Sequence, residues 1–514
     1  MKRLRIFVGA GAFLLCIVTP LFAQQMDIKS TGWIRVRYRD WNDFLMDDNL
    51  AANTTSARNR HYFDTRIRMG VAANIEPGLK GVLEIERTDD FGAHSVFNAN
   101  ASPSNTASGL GTPGNTTEVY FRQAWVDWAI PGTPIHIVGG RMLYTVGGSI
   151  VFSGVDNGVD GIQVYSQLGP GTLTGYYFKP QNGDTSVSTT AADRRFANND
   201  FDMIGGSYKF EWSARNGVEI YGLYSLDKTR AKTLILGTAA LPNAAAALCT
   251  GAGTAGDCGQ TQEWYAGANF FGVQGPFTYR LEGAYMGGIA RQNVNATSAA
   301  TSLGNPAGDI DRSAGMVVGG LSYALVPELA LNLDGGWASG DDNPTDNEYN
   351  NFVGIYGFFQ PTLLFAEGNP FGNTAFAQFG NPTTNRSILG TTMGTADMDL
   401  ASNSVATLDN NNQRFSPGML YAKPGVKWVP VKQLTINADV GLLWAAVAPG
   451  GVDSYIGTEA DLKAAYQVYK NLVTNFYFGY LFAGSYFDRP VVAAPNVANV
   501  TDPWFARVEF IFTF

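Results

Sequence analysis

The sequence is poor in charged residues, in cysteine and histidine, and in long apolar runs. Only 15% of its 514 residues are charged. Beyond the N-terminal segment, no apolar run reaches the roughly 18 residues that a membrane-spanning helix needs. The best candidate, 352–366, is short and is interrupted by Gln360 and Pro361. These features argue against a helical membrane protein.

The shortage of histidine restricts the chemistry that the chain could perform. It has only His61, His94 and His136, and it contains no Gly-x-Ser-x-Gly motif of the kind that presents a catalytic serine. A Cys-x-x-Cys-His haem motif is also missing. We therefore expect a protein that is not an enzyme and that binds no cofactor.

Cysteine is nearly absent as well. Cys16 lies in the N-terminal apolar segment, whereas Cys249 and Cys258 lie in one Ala/Gly-rich loop. In an oxidising compartment the last two are expected to form a disulfide that closes this loop. Two thiols without a neighbouring histidine make a poor metal site, so no metal is predicted.

The first 23 residues have the pattern of a secretory signal peptide. Lys2, Arg3 and Arg5 precede an apolar run, and cleavage is expected after Ala23. Removing the three basic residues would change the net charge from −9 to −12. An acidic chain argues against nucleic acid as a partner. We expect residues 24–514 to form the mature, exported protein.

What the sequence does contain is glycine, aromatic residues and strands with two different faces. It has 60 Gly, and 13% of its residues are aromatic. At its end, apolar residues on even positions alternate with Arg507, Glu509 and Thr513, with Ile511 as the exception; the apolar residues on even positions are Ala506, Val508, Phe510, Phe512 and Phe514. Such alternation predicts a strand with one face in lipid and the other in water. A terminal Phe on such a strand resembles the closing strand that the outer-membrane assembly machinery recognises.

The same alternation recurs along the chain. It predicts 18 strands, although 16 are possible, at 28–39, 62–75, 80–88, 118–130, 135–142, 157–168, 172–179, 201–212, 218–227, 263–271, 277–287, 313–325, 329–338, 419–429, 434–445, 459–469, 472–482 and 502–514. Short turns alternate with long connections; the long ones are 40–61, 89–117, 180–200, 228–261, 288–312, 339–418 and 484–501. We therefore predict an all-β, transmembrane, antiparallel up-and-down barrel in a Gram-negative outer membrane, with periplasmic turns and termini and extracellular loops.

Charged residues on the strands should point into this barrel, because charge on the lipid face costs about 2–4 kcal/mol at the membrane midplane. A barrel of this width leaves a water-filled lumen. The predicted inward-facing residues are Arg35, Arg37, Arg39, Arg66, Arg68, Glu84, Glu86, Arg280, Glu282, Asp334, Asp439 and Arg507. The arginines either line a pore that favours anions locally or pair with Asp64, Glu84 and Glu86 to stiffen the wall, and the two interpretations are compatible.

Two connections could narrow such a lumen. Connection 339–418 is too long for a simple surface loop, and its Phe-rich middle could form a constriction, a cap or a contact with a neighbouring barrel. Connection 144–156 is a second candidate for the constriction. The sequence does not rank these alternatives.

Three segments resemble porin families of proteobacterial outer membranes. They are Glu-Val-Tyr-Phe-Arg-Gln-Ala-Trp-Val-Asp-Trp at 118–128, Val-Gly-Gly-Arg at 138–141, and 156–164, which contains Asp-Gly-Ile-Gln-Val. The chain is similar to alginate-export-type barrels and to homotrimeric porins. The resemblance implies passage of a solute across the outer membrane, with Arg141 near the constriction, and it favours a homotrimer.

The predicted function is therefore passive or weakly selective diffusion of small hydrophilic solutes, with anions as one candidate class, through a barrel embedded in outer-membrane lipid. Two alternatives stay open at this point. One is a polysaccharide export channel of the alginate type, which the large Phe-rich connection argues against. The other is a barrel that serves as a sheath or scaffold for a periplasmic or extracellular partner.

Overall fold

The computed structural model describes residues 27–42, 60–91, 119–155, 158–181, 201–227, 260–291, 309–341, 348–352, 354–355, 361–364, 418–448, 453–487 and 502–514. The predicted signal peptide, 1–23, lies outside the described residues, as do Cys249 and Cys258. Within the described ranges no helix is both long and apolar enough to cross a membrane.

Eighteen long antiparallel strands form one closed barrel, as predicted. They are β1 Asp27–Asn42, β2 Arg60–Glu76, β3 Leu79–Phe91, β4 Tyr120–Ala129, β5 Ile135–Met142, β6 Val159–Leu168, β7 Gly171–Gln181, β8 Phe201–Ser213, β9 Asn216–Asp227, β10 Gln260–Gln274, β11 Phe277–Arg291, β12 Asp309–Val326, β13 Leu329–Ala338, β14 Met419–Val431, β15 Leu434–Trp444, β16 Tyr455–Tyr469, β17 Leu472–Ala483 and β18 Trp504–Thr513. Each strand pairs with its neighbours in the chain, and β18 pairs with β1 from Trp33↔Thr513 to Asn42↔Trp504.

The tight turns follow from local sequence chemistry. Pro170-Gly171 follows Gly169, and Pro276 follows Gly275, at the turns that join β6 to β7 and β10 to β11. Gly169 and Gly275 have φ angles of 61° and 59°, which glycine adopts without steric cost. These short turns lie on the periplasmic side, and the long connections lie on the extracellular side.

Several strands extend further toward the extracellular side than the sequence pattern predicts. β10 begins at Gln260, β12 at Asp309 and β16 at Tyr455, three or four residues before the predicted starts. Above the membrane the outer face of a strand no longer has to be apolar, so the alternation fades there. The backbone hydrogen-bond ladder continues nevertheless, because strand pairing does not depend on lipid.

The two faces of the wall differ as expected for a barrel in a membrane. On β18 the side chains of Phe510 and Phe512 are 48% and 39% exposed, whereas Arg507 and Glu509 are 6% and 4% exposed. Alternation of this kind places apolar side chains outside and charged ones inside. The charged face of the seam between β18 and β1 is therefore part of the inner surface.

An apolar core fills part of the barrel interior, unlike an empty water-filled cylinder. Inner-face residues on β7 to β12 are buried: Tyr176, Phe178, Met203, Tyr221, Tyr265, Met286 and Met316. Buried residues of two extracellular connections, including Phe152 and Phe352, pack against them. The inner surface from β18 through β1 to β4 is charged.

Candidate functional site: a basic wall and two inner loops

Seven arginines and four carboxylates cluster on the inner face of five adjacent strands, β18 and β1 to β4. We call this cluster the basic wall; its members are Arg35, Arg37, Arg39, Asp64, Arg66, Arg68, Glu84, Glu86, Arg122, Arg507 and Glu509. Strand register brings them together, because Arg37 pairs with Asp64 on β2 and with Glu509 on β18. Residues far apart in the chain thus share one surface.

Asp64 is the first of two carboxylates that each serve three arginines. Its oxygens lie 2.7 Å from Nε of Arg37, 2.9 Å from Nε of Arg39 and 3.9 Å from a terminal nitrogen of Arg35. The Asp64 side chain is 1% exposed. A carboxylate so buried needs these charge-assisted contacts to offset its lost hydration.

Glu86 is the second shared carboxylate. It pairs with Arg66 at 3.2 Å, with Arg68 at hydrogen-bond distance and with Arg122 at 3.8 Å. The hydroxyl of Tyr120 also donates to Glu86. The Glu86 side chain is fully buried, so, like Asp64, it is a buried counter-charge for the arginines around it.

The other two carboxylates of the basic wall, Glu84 and Glu509, have fewer partners. Glu84 accepts a hydrogen bond from Arg122. Glu509 accepts one from Asn475, at 3.0 Å, and its other oxygen lies 3.7 Å from Nε of Arg35. Arg507 stacks on the ring of Tyr477, with 3.7 Å between its Cζ and the ring centroid.

The arrangement leaves positive charge toward the lumen. The shared carboxylates are at most 1% exposed, whereas the side chains of Arg35, Arg39 and Arg68 are 13–14% exposed. Seven arginines also outnumber four carboxylates within the cluster. Pairing with carboxylates and exposure of positive charge therefore occur together, so the two interpretations of the arginines do not exclude one another.

One extracellular connection crosses the interior through its described residues 143–155; we call these residues the inner loop. At one end the carbonyl of Val155 accepts a hydrogen bond from Arg122 on β4. In its middle the N–H of Gly148 donates to Glu282 on β11 at 2.6 Å, and Tyr221 donates to the same carboxylate at 2.8 Å. β4 and β11 are seven strands apart in a barrel of 18, so this loop spans most of the lumen.

The described part of connection 339–418 also lies inside the barrel. Phe352 is fully buried, and its ring lies 6.3 Å from that of Tyr265 on β10. Ile355 forms a parallel β-bridge with Phe152 of the inner loop. Residues 361–364 then reach β16, seven strands from β9, whose Tyr221 lies beside the inner loop. The sequence left open whether this connection lies inside the barrel, caps it or contacts a neighbouring barrel. Its described segments lie inside.

The predicted residues fall into groups that the sequence did not separate. Arg35, Arg37, Arg39, Arg66, Arg68, Glu84, Glu86 and Arg507 belong to the basic wall. Glu282 holds the inner loop. Arg280 pairs with Asp334 at 2.9 Å on the inner face, and the carboxylate of Asp439 lies against Gly425. That any of them lines a conducting pore stays a prediction.

Arg141 requires a correction, because the strand register places it on the outer face. Its neighbours Val138 and Met142 are buried on the inner face. Arg141 pairs with Asp160, and its Nε lies 2.8 Å from that carboxylate. The next outward residue on β6, Ile162, is 52% exposed. Arg141 therefore lies on the outer face, beside the extracellular end of β5, where polar headgroups and water replace hydrocarbon.

Sequence reasoning missed several inner-face residues. The pairing of β3 with β4 shifts register between Glu84 and Ile85, next to Arg122. The alternation along β4 therefore does not predict on which face of the barrel Arg122 lies. Glu263 and Arg312 form a buried pair on β10 and β12; Glu263 is the first residue of its predicted strand, and Arg312 lies one residue before the predicted start of its own. Glu459 and Asp461 alternate with Leu462, a pattern that could have identified them.

These features define an outer-membrane β-barrel of the porin class, with charged side chains inside, apolar ones outside and loops folded into the lumen. A family model for alginate export matches residues 25–500. The chain belongs to the alginate export family. A comparison with curated proteins found no match.

Solved outer-membrane proteins resemble the chain over most of its length, at low identity. OccAB1 of Acinetobacter baumannii is 10% identical with a TM-score of 0.49, covering 95% of this chain and 97% of its own. OpdK of Pseudomonas aeruginosa is 12% identical with a TM-score of 0.46, covering 95% and 99%. A BenF-like porin from Pseudomonas fluorescens is 11% identical with a TM-score of 0.46, again covering 95% and 99%.

Proposed function

We propose that this protein is a diffusion channel that admits small hydrophilic solutes through the outer membrane and favours anions. The observation that carries the proposal is the basic wall, where seven arginines face four carboxylates, three of which are buried. The apolar core and the inner loop occupy the interior beside β7 to β12, and residues 361–364 lie against β15 to β17. Solute therefore moves along the charged strands, β18 and β1 to β4, where excess positive charge attracts anions.

Ion currents test this proposal directly. Purified protein in planar bilayers should carry current, and its reversal potential in a KCl gradient should report a preference for chloride. Arg35→Ala/Arg37→Ala/Arg66→Ala should reduce that preference, because three positive charges leave the inner surface. The absence of any current would contradict an open pore.

A matched variant separates the basic wall from total charge. Lys29, Lys432 and Lys470 are exposed residues outside the basic wall. Lys29→Ala/Lys432→Ala/Lys470→Ala removes the same three charges and should leave the reversal potential close to that of the wild type. Equal shifts in both triple variants, or cation selectivity that the arginine variant leaves unchanged, would reject the role of the wall.

Polysaccharide export is a second candidate, because the matching family is named for alginate export. The two segments inside the barrel favour a narrow passage over one for a wide polymer. Liposome swelling with sugars of increasing size distinguishes the two functions. We expect monosaccharides and disaccharides to enter and long oligosaccharides to be excluded, whereas swelling with long oligomers would support export.

Further properties belong to the same proposal. We infer transport without catalysis, recognition of the C-terminal strand by the outer-membrane assembly machinery, and assembly into a homotrimer. Mass measurement of the protein extracted in mild detergent tests the trimer, and a monomeric mass would reject it.

A further inference from the structure

A short piece of connection 339–418, residues 361–364, fits into a socket on the inner face of the barrel. Thr362, Leu363 and Leu364 are each at most 2% exposed. They contact β16 at Glu459 and Asp461, which are 0% and 4% exposed. This contact joins residues nearly 100 positions apart in the chain.

The contact consists of three hydrogen bonds to two carboxylates. Glu459 accepts one from the hydroxyl of Thr362 and one from the N–H of Leu364, each at 2.6 Å. Asp461 accepts one from the N–H of Leu363 at 3.0 Å. The N–H groups of an irregular buried segment need acceptors, and the two carboxylates need donors, so each partner satisfies the other.

Two glycines on the flanking strands make room for the segment. Gly441 of β15 pairs with Glu459, and Gly479 of β17 pairs with Asp461. A Cβ built on Gly441 would collide with the methyl group of Thr362, and one built on Gly479 would lie 3.3 Å from Cδ2 of Leu363. Acceptors in the centre and open space on both sides make the socket fit an irregular segment whose consecutive N–H groups point toward β16.

The segment is also connected to the inner loop. Earlier in the same connection, Ile355 bridges to Phe152, and the inner loop is fixed to Glu282 through Gly148. Among the described residues, the socket on β16 thus follows the contacts with Phe152 and Glu282 in a series of attachments across the barrel. Loss of this attachment should release residues 361–364, whereas the strand pairing that closes the barrel does not depend on it.

We propose that Glu459 and Asp461 are positioning residues that hold residues 361–364 inside the barrel and thereby set the size limit of the channel. This inference rests on the proposed function. The carboxylates act through the backbone that they bind, and their charge is not required for the size limit.

Two variants with equal charge test the proposal. Glu459→Ala/Asp461→Ala removes the acceptors, so unitary conductance and the largest sugar admitted in liposome swelling should both increase. Glu459→Gln/Asp461→Asn removes the same charge but leaves one carbonyl acceptor for each N–H, so both measurements should remain near the wild-type values. A merely electrostatic role would shift both variants alike and would overturn the proposal, as would a folded alanine variant with wild-type conductance and size limit.

A reversible cross-link provides a second test that does not depend on the alanine variant folding. The Cβ built on Gly441 lies 3.6 Å from Cβ of Thr362, within the range for a disulfide. Thr362→Cys/Gly441→Cys, made together with Cys249→Ser/Cys258→Ser, should form a disulfide on oxidation, measured by mass spectrometry. Failure to cross-link in the folded barrel would overturn the position of the segment.

A third test combines the alanine substitutions at Glu459 and Asp461 with the cysteine pair at Thr362 and Gly441. In Glu459→Ala/Asp461→Ala protein, oxidation of the new cysteine pair should restore the smaller size limit, and reduction should abolish it again. The Cys249→Ser/Cys258→Ser parent should not respond to either treatment. A wild-type protein without current would reject the proposed channel, whereas the cross-link would still report whether the segment lies in the socket.

Discussion

Two buried carboxylates organise the basic wall. Asp64 and Glu86 each contact three arginines, and neither is more than 1% exposed. Without them the arginines would repel one another across the strands. The carboxylates therefore act as structural counter-charges, while the longer arginine side chains extend over them toward the lumen.

Asp64→Asn tests this role at the level of one residue. The substitution keeps the size of the side chain but leaves Arg35, Arg37 and Arg39 without their shared counter-charge. Losing one partner of a buried ion pair typically costs 3–5 kcal/mol, and we expect a decrease of about 3 kcal/mol in the free energy of unfolding. Denaturant unfolding of the barrel in lipid, followed by tryptophan fluorescence, measures it.

Glu211→Gln provides the control. Glu211 pairs with Lys209 at 2.8 Å, but both side chains are more than 40% exposed. Water and salt screen such a pair, so its loss should change the free energy of unfolding by no more than about 0.5 kcal/mol. Similar losses in the two variants would show that Asp64 has no special structural role.

At the scale of the strand, alternation assigns each residue to lipid or to the lumen. On β13, Leu333 is 52% exposed on the outer face, and its neighbour Asn332 points inward beside Gly425. Leu333→Arg should lower the free energy of unfolding by about 2–4 kcal/mol, because a charge near the membrane midplane loses its hydration.

Asn332→Arg is the matched test on the opposite face. Its guanidinium remains in the aqueous interior, so the loss of stability should be much smaller. Both variants can be compared by denaturant unfolding in bilayers of the same lipid. Equal losses would contradict the assignment of the two faces.

The whole barrel depends on its seam. Phe514 exchanges two backbone hydrogen bonds with Gly32, at 3.0 and 2.9 Å, and a Cβ on Gly32 would lie 2.5 Å from the Phe514 ring. The aromatic terminus thus covers a glycine on the first strand. Closure removes the exposed strand edges that lipid cannot hydrate.

Deletion of Phe514 should reduce the fraction of protein that assembles as a folded barrel in the outer membrane of a Gram-negative expression host. The deletion removes both hydrogen bonds and the apolar cover of Gly32. Phe514→Leu retains them and should assemble almost normally. The folded fraction is read from the mobility shift of unheated against heated samples, and equal fractions for the deletion and the wild type would contradict the prediction.

Prediction from sequence succeeded where the signal is local. A period of two reports the face of each strand, and Gly and Pro report the turns, so 18 strands and their order could be identified. It was wrong for Arg141, because the resemblance suggested a constriction and the register places the residue on the outer face. It missed Arg122, because a register shift changes the direction of the side chains along β4.

By itself the sequence determined the class of the protein: an exported barrel with apolar strands outside and charged residues inside. Only the tertiary structure decided how the interior is filled. The bonds that hold the loops join Gly148 to Glu282 and Thr362 to Glu459, separated by 134 and 97 positions. No local period encodes such contacts, because they form only when closure of the barrel brings distant strands around one lumen.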